Sequence, residues 1–198
     1  MLGLMANHTI LSSETLELNI NNFMSKLNAS QLRKSSPEAK DVLAVKRNPI
    51  YLVLDNIIDT YNIGSLFRLA DATGIKKVYL CGKTEYPPSS RIHKAAVGTE
   101  SWVPWTTKSS ALQAVKELKK KSVQIIAVEQ SKKAISYTKL NPHFPCAIVV
   151  GNETYGMTKE ILDEADIIVE LPMFGINKSF NVWGSAAVII YKLIEKLF

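Results

Sequence analysis

The chain has 198 residues, which at the usual ~100 to 200 residues per domain holds one globular domain with a small extension and excludes two full domains. Apolar residues make up 46% and charged residues 21%, near the soluble averages of ~45–50% and ~25%, so a chain disordered throughout is also excluded. Lys and Arg number 24 against 18 Asp and Glu; the net charge of +6 favours a polyanionic partner, and no apolar run nears the ~18 residues needed to cross a bilayer.

The opening MLGLMANHTI lacks a basic region and a small-residue cleavage site, so it does not read as a secretory signal and a cytoplasmic location is expected. Residues 1–48 are polar, carry 6 basic and 4 acidic residues, and read as a helical N-terminal extension ahead of a domain over 49–198. Leu16, Ile20, Phe23 and Leu27 recur at helical spacing. Ser36-Pro37-Glu38 offers a second helix an N-cap followed by Pro at its first position. Asn48-Pro49 then turns the chain extended.

From Ile50 short apolar strands alternate with helices, the pattern of an α/β fold with a mostly parallel sheet. Strands are predicted near 50–55, 77–81, 101–105, 123–128, 146–150 and 166–170. The helix after Asn62, which reads as its N-cap, turns Leu66, Leu69 and Ala70 to the core and ends at Gly74, where a left-handed cap is easy. Residues 82–99, with Pro87-Pro88-Ser89-Ser90 and then Arg91, His93 and Lys94, form the longest predicted loop. A helix over 109–121 places Ala111, Leu112, Val115 and Leu118 on one face and closes on Lys119, Lys120 and Lys121, a solvated helix end whose cations suit the macrodipole. The last helix, 181–197, carries Val182, Ala186, Ile189, Ile190, Leu193 and Leu197, a stripe broad enough to demand burial. Cys81 and Cys146 sit in apolar strands without CxxC spacing and read as buried free thiols; His8, His93 and His143 are too scattered for a zinc site.

The chain has no G-x-G-x-x-G opening a helix, no P-loop, no H-E-x-x-H and no G-x-S-x-G, which removes the main support for dinucleotide, nucleotide-triphosphate, zinc-protease and hydrolase chemistry. Unusual polar residues instead gather in three blocks at strand ends, where open α/β sheets place ligand crevices. The first, LVLDNIIDTYNIGSLFRLADATG, holds Asn56, Asn62 and Gly64, with Arg68 six residues beyond Asn62, about 9 Å along a helix. The second, AIVVGNETYGM, ends a buried strand in Gly151, Glu153 and Gly156, where glycine permits close backbone approach. The third, VELPMFGINKSFNVWGSAAVIIYKLI, sets Ser179 and Asn181 just before an apolar helix. Taken singly, each block also fits a capped helix or a strand-end turn.

Together, and in this order, the blocks from Ile50 to Phe198 resemble the SpoU/TrmH-type branch of the SPOUT RNA methyltransferases. The matches are Asn56, Asn62, Gly64 and Arg68; Gly151, Glu153 and Gly156; and Leu171-Pro172-Met173 with Ser179-Phe180-Asn181-Val182. The resemblance implies a mostly parallel α/β sheet with a deep C-terminal trefoil knot, a homodimer, and S-adenosyl-L-methionine-dependent methylation of a ribose 2'-hydroxyl in RNA with no metal. In that reaction the hydroxyl attacks the sulfonium methyl in line, and the protein mainly orients both groups and assists proton removal.

Arg68 is then the central catalytic residue, holding the target phosphate and polarising the hydroxyl rather than acting as a simple base, because its guanidinium stays cationic. Asn62, Glu153, Ser179 and Asn181 are the other catalytic candidates. The donor falls to backbone groups at Val128, Gly151, Leu171 and Met173 and to Ser179. Besides Arg68, RNA phosphates fall to Arg91, His93 and Lys94, with Arg33, Lys34, Lys46 and Arg47 nearer the extension.

The departures from the family are Phe180, where Leu or Met is common, Trp183-Gly184 in place of small polar residues often found there, an extension that does not match the longer substrate-recognition domain of many ribosomal-RNA members, and the lack of the C-terminal extension of some transfer-RNA members. The substrate is tRNA or rRNA, with tRNA favoured because the full ribosomal-type appendage is absent. Two alternatives remain: a catalytically silent knotted RNA-binding or dimerisation protein, and a base methyltransferase of a neighbouring SPOUT branch, against which Arg68 and the S-x-N tail speak.

Overall fold

A computed structural model describes residues 37–198. A short helix, α1 (Ala39–Ala44), leads in; Glu38 rather than Ser36 stands at its N-cap. Ser36 and the helix expected around Leu16 to Leu27 lie outside the described residues.

Seven strands follow: β1 (Asn48–Asp55), β2 (Ile75–Cys81), β3 (Trp105–Lys108), β4 (Gln124–Val128), β5 (Ile135–Ser136), β6 (Cys146–Val150) and β7 (Ile167–Glu170). They form one sheet in the order β3-β2-β1-β6-β4-β7-β5, and every pairing in it is parallel. The central strands are apolar on both faces because both faces are covered. Leu52, Leu54, Ile126 and Ile148 pack with α2 (Thr60–Ala72), α3 (Ser90–Ala96) and α6 (Val182–Ile194). Val53, Ile125, Ala147 and Val149 pack on the other face with α4 (Ala111–Lys119) and α5 (Lys159–Glu164).

Several predicted elements shift, each for a local reason. Asn62 is not the cap of α2: the helix starts earlier, at Thr60, because the Asp59 carboxylate accepts the Tyr61 N–H at 2.8 Å, which leaves Asn62 inside and buried. The helix ends as expected, with Gly74 at φ 59° just past its cap. The strand expected at 101–105 begins only at Trp105; residues 99–101 make a 3-10 turn, and Pro104 contributes its carbonyl to Val78. The loop expected over 82–99 contains α3, capped by Ser89. This helix presses on α2 at Gly64, where a Cβ would lie 2.5 Å from the Ala95 Cβ, so that motif glycine serves helix packing. The two-residue β5 was not anticipated.

The lysine run behaves as a helix end: Lys119 pairs with Glu164 at 3.0 Å and Lys121 with Glu117 at 2.9 Å. Cys81 and Cys146 are buried and free, and burial pushes both thiols up to about 12. In α6, Ala186, Ile189, Ile190 and Leu193 are fully buried against the chain's own sheet and α2, so the broad stripe is covered without a second subunit. Its outward face instead carries Trp183, Val188 and Tyr191.

Candidate active site

The carboxyl ends of three adjacent strands, β6, β4 and β7, open into a cavity of about 740 Å³, walled on its other sides by the start of α2 and the segment leading into α6. Val128, Gly151, Leu171 and Met173 line it, as do Asn62, Glu153, Ser179 and Asn181.

The turn after β6 is built by its own side chains. Asn152 Oδ1 accepts the N–H groups of Thr154 at 2.9 Å and Tyr155 at 3.0 Å, and its Nδ2 donates to the Asn56 carbonyl at 2.7 Å. Gly156 closes the turn at φ 64°, and a Cβ there would collide with the Glu129 carboxylate. Glu129 in turn accepts the N–H groups of Met157 and Gln130, each at 3.0 Å, and the Gln130 side chain donates to the Lys178 carbonyl, fastening the segment before α6.

One polar relay joins the walls. Glu153 accepts from Asn62 Nδ2 at 3.0 Å and from the backbone N–H groups of Ile58 and Asp59, both at 3.2 Å. Asn62 Oδ1 accepts from Asn181 Nδ2 at 3.1 Å, while Asn181 Oδ1 caps α6 by accepting the Trp183 N–H at 2.9 Å. Partial burial pushes the Glu153 carboxyl up, but the bonds from Asn62 and from backbone N–H groups together outweigh it and hold it below the ordinary carboxylate range. Ser179 is exposed at the cavity, its hydroxyl without a hydrogen bond among the described residues. Phe180 lays its ring on Gly184, where a Cβ would stand 2.7 Å away, so these two departures from the family pattern fit each other.

The basic candidates divide. Arg68 does not line the cavity; it is exposed on α2 and makes no hydrogen bond or ion pair among the described residues. Arg91, Lys94 and Lys46 are exposed, whereas His93 pairs with Glu100 at 2.5 Å and Arg47 turns inward to the Trp102 carbonyl at 3.2 Å. Those last two are occupied by the fold rather than held out for phosphate. Arg33 and Lys34 lie outside the described residues. The sequence reading overlooked Asp59, Glu129 and Glu170, which also line the cavity. Glu129 and Glu170 stand at the carboxyl ends of strands, and that position was a usable signal. With Glu153 they give the cavity four carboxylates against the single lysine Lys178, a lining that suits a cationic small molecule, in a volume inside the ~300–1,000 Å³ usual for ligand sites. Among the described residues no helix is long and apolar enough to cross a membrane.

The sequence profile of the SpoU rRNA Methylase family matches residues 49–191. The chain is similar to the 23S rRNA (guanosine-2'-O-)-methyltransferase RlmB of Neisseria meningitidis serogroup B, at 32% identity over 158 residues, 79% of this chain and 63% of that protein. The structure of the A. aeolicus TrmH/SpoU tRNA modifying enzyme overlays with a TM-score of 0.71 at 26% identity, covering 79% of each chain. An AdoMet-bound rRNA methyltransferase from Sinorhizobium meliloti overlays with a TM-score of 0.70, covering 78% of this chain and 59% of that one; at 23% identity this likeness speaks for the fold. The chain spans 64% of the length of one curated relative and 58% of another. With the profile spanning the strands, the cavity and most of α6, the chain belongs to the SpoU rRNA methylase family.

Proposed function

We propose that the chain methylates a ribose 2'-hydroxyl in RNA, tRNA or rRNA, with S-adenosyl-L-methionine as donor. The observation that carries this is the meeting, in one acid-lined cavity, of Asn62, Glu153, Ser179 and Asn181 with the strand-end backbone of Val128, Gly151, Leu171 and Met173. When bound, the donor supplies a methyl group activated by its positive sulfur, so that transfer to the ribose oxygen leaves a neutral thioether and releases the hydroxyl proton.

The residues of the chain then bind and orient. Backbone groups at the ends of β4, β6 and β7 and the free Ser179 hydroxyl hold the donor, and the carboxylates favour its positive charge. The Glu153–Asn62–Asn181 relay fixes the walls. Arg68, exposed and without a partner among the described residues, receives the phosphate of the target nucleotide and polarises its hydroxyl, while Arg91 and Lys94 add non-specific phosphate contacts.

Calorimetry with chelator present is expected to show binding of the donor or its demethylated product, and unmodified RNA from a strain lacking this gene is expected to gain ribose methylation when the chain and the donor are supplied. Binding of RNA without any donor binding would favour the catalytically silent alternative; methyl groups found on bases would favour the base-modifying one. The cytoplasm, where free thiols such as Cys81 and Cys146 persist, is the compartment that fits.

We also infer, from the family resemblance, a deep trefoil knot at the C-terminal end, and a homodimer through the outward face of α6. Trp183, Ala187 and Tyr191 follow at i, i+4 and i+8 with Val188 beside them, an apolar face that a solvent-facing helix does not need. Light scattering at micromolar concentration is expected to give a dimer for the wild type and a monomer for Tyr191→Glu, since a buried carboxylate without a partner breaks an interface. A monomeric wild type would refute the dimer.

A further inference from the structure

Two exposed tyrosines, Tyr61 and Tyr155, stand next in the chain to cavity-lining residues without lining the cavity themselves, and neither takes part in the relay. Tyr61 is 66% exposed and Tyr155 88% exposed, and neither ring makes a ring–ring contact, cation contact or hydrogen bond among the described residues. Their backbones are nonetheless pinned: the Tyr61 N–H donates to Asp59 at 2.8 Å and the Tyr155 N–H to Asn152 at 3.0 Å. One stands a residue before Asn62 and the other two residues after Glu153, so the two flank the side-chain contact that joins the cavity's walls. Large aromatic rings held out in water from a fixed backbone lose apolar burial and gain nothing for the fold.

We propose that Tyr61 and Tyr155 stack on unpaired bases of the RNA strand at the cavity, holding the target nucleotide and its neighbour for reaction; this rests on the RNA reading above. Stacking on aromatic side chains is how unpaired bases are gripped without regard to their hydrogen-bonding edges. The surroundings favour a nucleotide over a second protein copy. The chain on either side of the tyrosines is polar, with Asp59 and Thr60 before Tyr61 and Glu153 and Thr154 before Tyr155, whereas the core of a protein interface is depleted in charge, as the outward face of α6 is. A phosphate site lies within the same reach. Arg68, unpartnered among the described residues, stands at i+7 from Tyr61 on the same face of α2, about 10 Å along the helix.

The test is methyl transfer from labelled donor to total RNA from a strain lacking this gene, using the full chain and Tyr61→Ala, Tyr155→Ala and the two Tyr→Phe variants. Each Ala variant is expected to raise KM for RNA about 10-fold, in line with the loss of one stacked base, with donor affinity and oligomeric mass unchanged. Each Phe variant is expected to restore KM to within about 2-fold, because the ring and not the hydroxyl makes the contact. Ala variants with wild-type KM, Phe variants as weak as Ala, or a changed oligomeric mass would each overturn the stacking role while leaving the RNA reading intact. A wild-type chain that binds donor but neither binds nor methylates this RNA would instead overturn the RNA reading itself.

Discussion

Arg68→Ala is expected to lower single-turnover methyl transfer about 100- to 1,000-fold while leaving donor affinity and thermal stability at wild-type values. The size is that of losing one charged hydrogen-bond donor to the reacting group, the role proposed for Arg68. The selectivity follows from the structure: Arg68 is exposed, has no partner among the described residues and does not line the cavity, so its truncation opens no void and orphans no buried group. Arg68→Lys should recover little, because an ammonium is a point charge and cannot make the planar two-pronged contact of a guanidinium. Transfer rates and donor affinity measured side by side decide the matter. Near-normal turnover in Arg68→Ala would remove the ribose-methylation mechanism assigned to this residue and leave the fold untouched; a parallel loss of donor binding would place Arg68 in the donor site instead.

The central strands were legible because burial on both faces writes unbroken apolar runs, such as Ala147 to Val150, into the sequence. Boundaries set by one side chain were less so. Asn62 and Asp59 are both good caps, and only the structure shows the Asp59 carboxylate on the Tyr61 N–H, which frees Asn62 to enter the helix and the relay. The helix α3 was hidden by its seven-residue length and by the Pro87-Pro88 pair before it. Motif spacing picked out Asn62, Glu153 and Asn181 but not the contacts between them. Pairing across 91 and 119 residues leaves no local pattern, and so polar groups that read as separate functional candidates prove to hydrogen-bond to one another as well as to backbone N–H groups. The apolar stripe of α6 was legible only in part: periodicity reports that a face is buried and is silent on whether the chain's own sheet or another subunit buries it.

Asn62→Ala tests that relay, and its effect is expected to depend on pH. The wild-type amide is almost fully buried, with its Nδ2 on Glu153 and its Oδ1 accepting from Asn181. Truncation therefore leaves a carboxylate and an amide short of a partner, a loss of about 1 to 3 kcal/mol that corresponds to a fall in Tm of about 2 to 12 °C for a domain of this size. Donor affinity should fall with it, since the start of α2, the turn after β6 and the cap of α6 lose their common tie. The sign of the pH effect follows from Glu153. Its folded carboxyl is held below the ordinary value of 4.5, so the stabilisation it contributes is present above that value and is lost as pH falls through the lower, folded one. Removing Asn62 takes away one of the bonds that lower it. The gap in Tm between wild type and Asn62→Ala should thus be widest near pH 7 and narrow as the pH drops below 4.5, leaving the part owed to Asn181, which does not titrate. Thermal unfolding of both proteins across that range is the measurement, and a gap that stays constant from pH 7 to pH 3 would show that Glu153 draws nothing from Asn62.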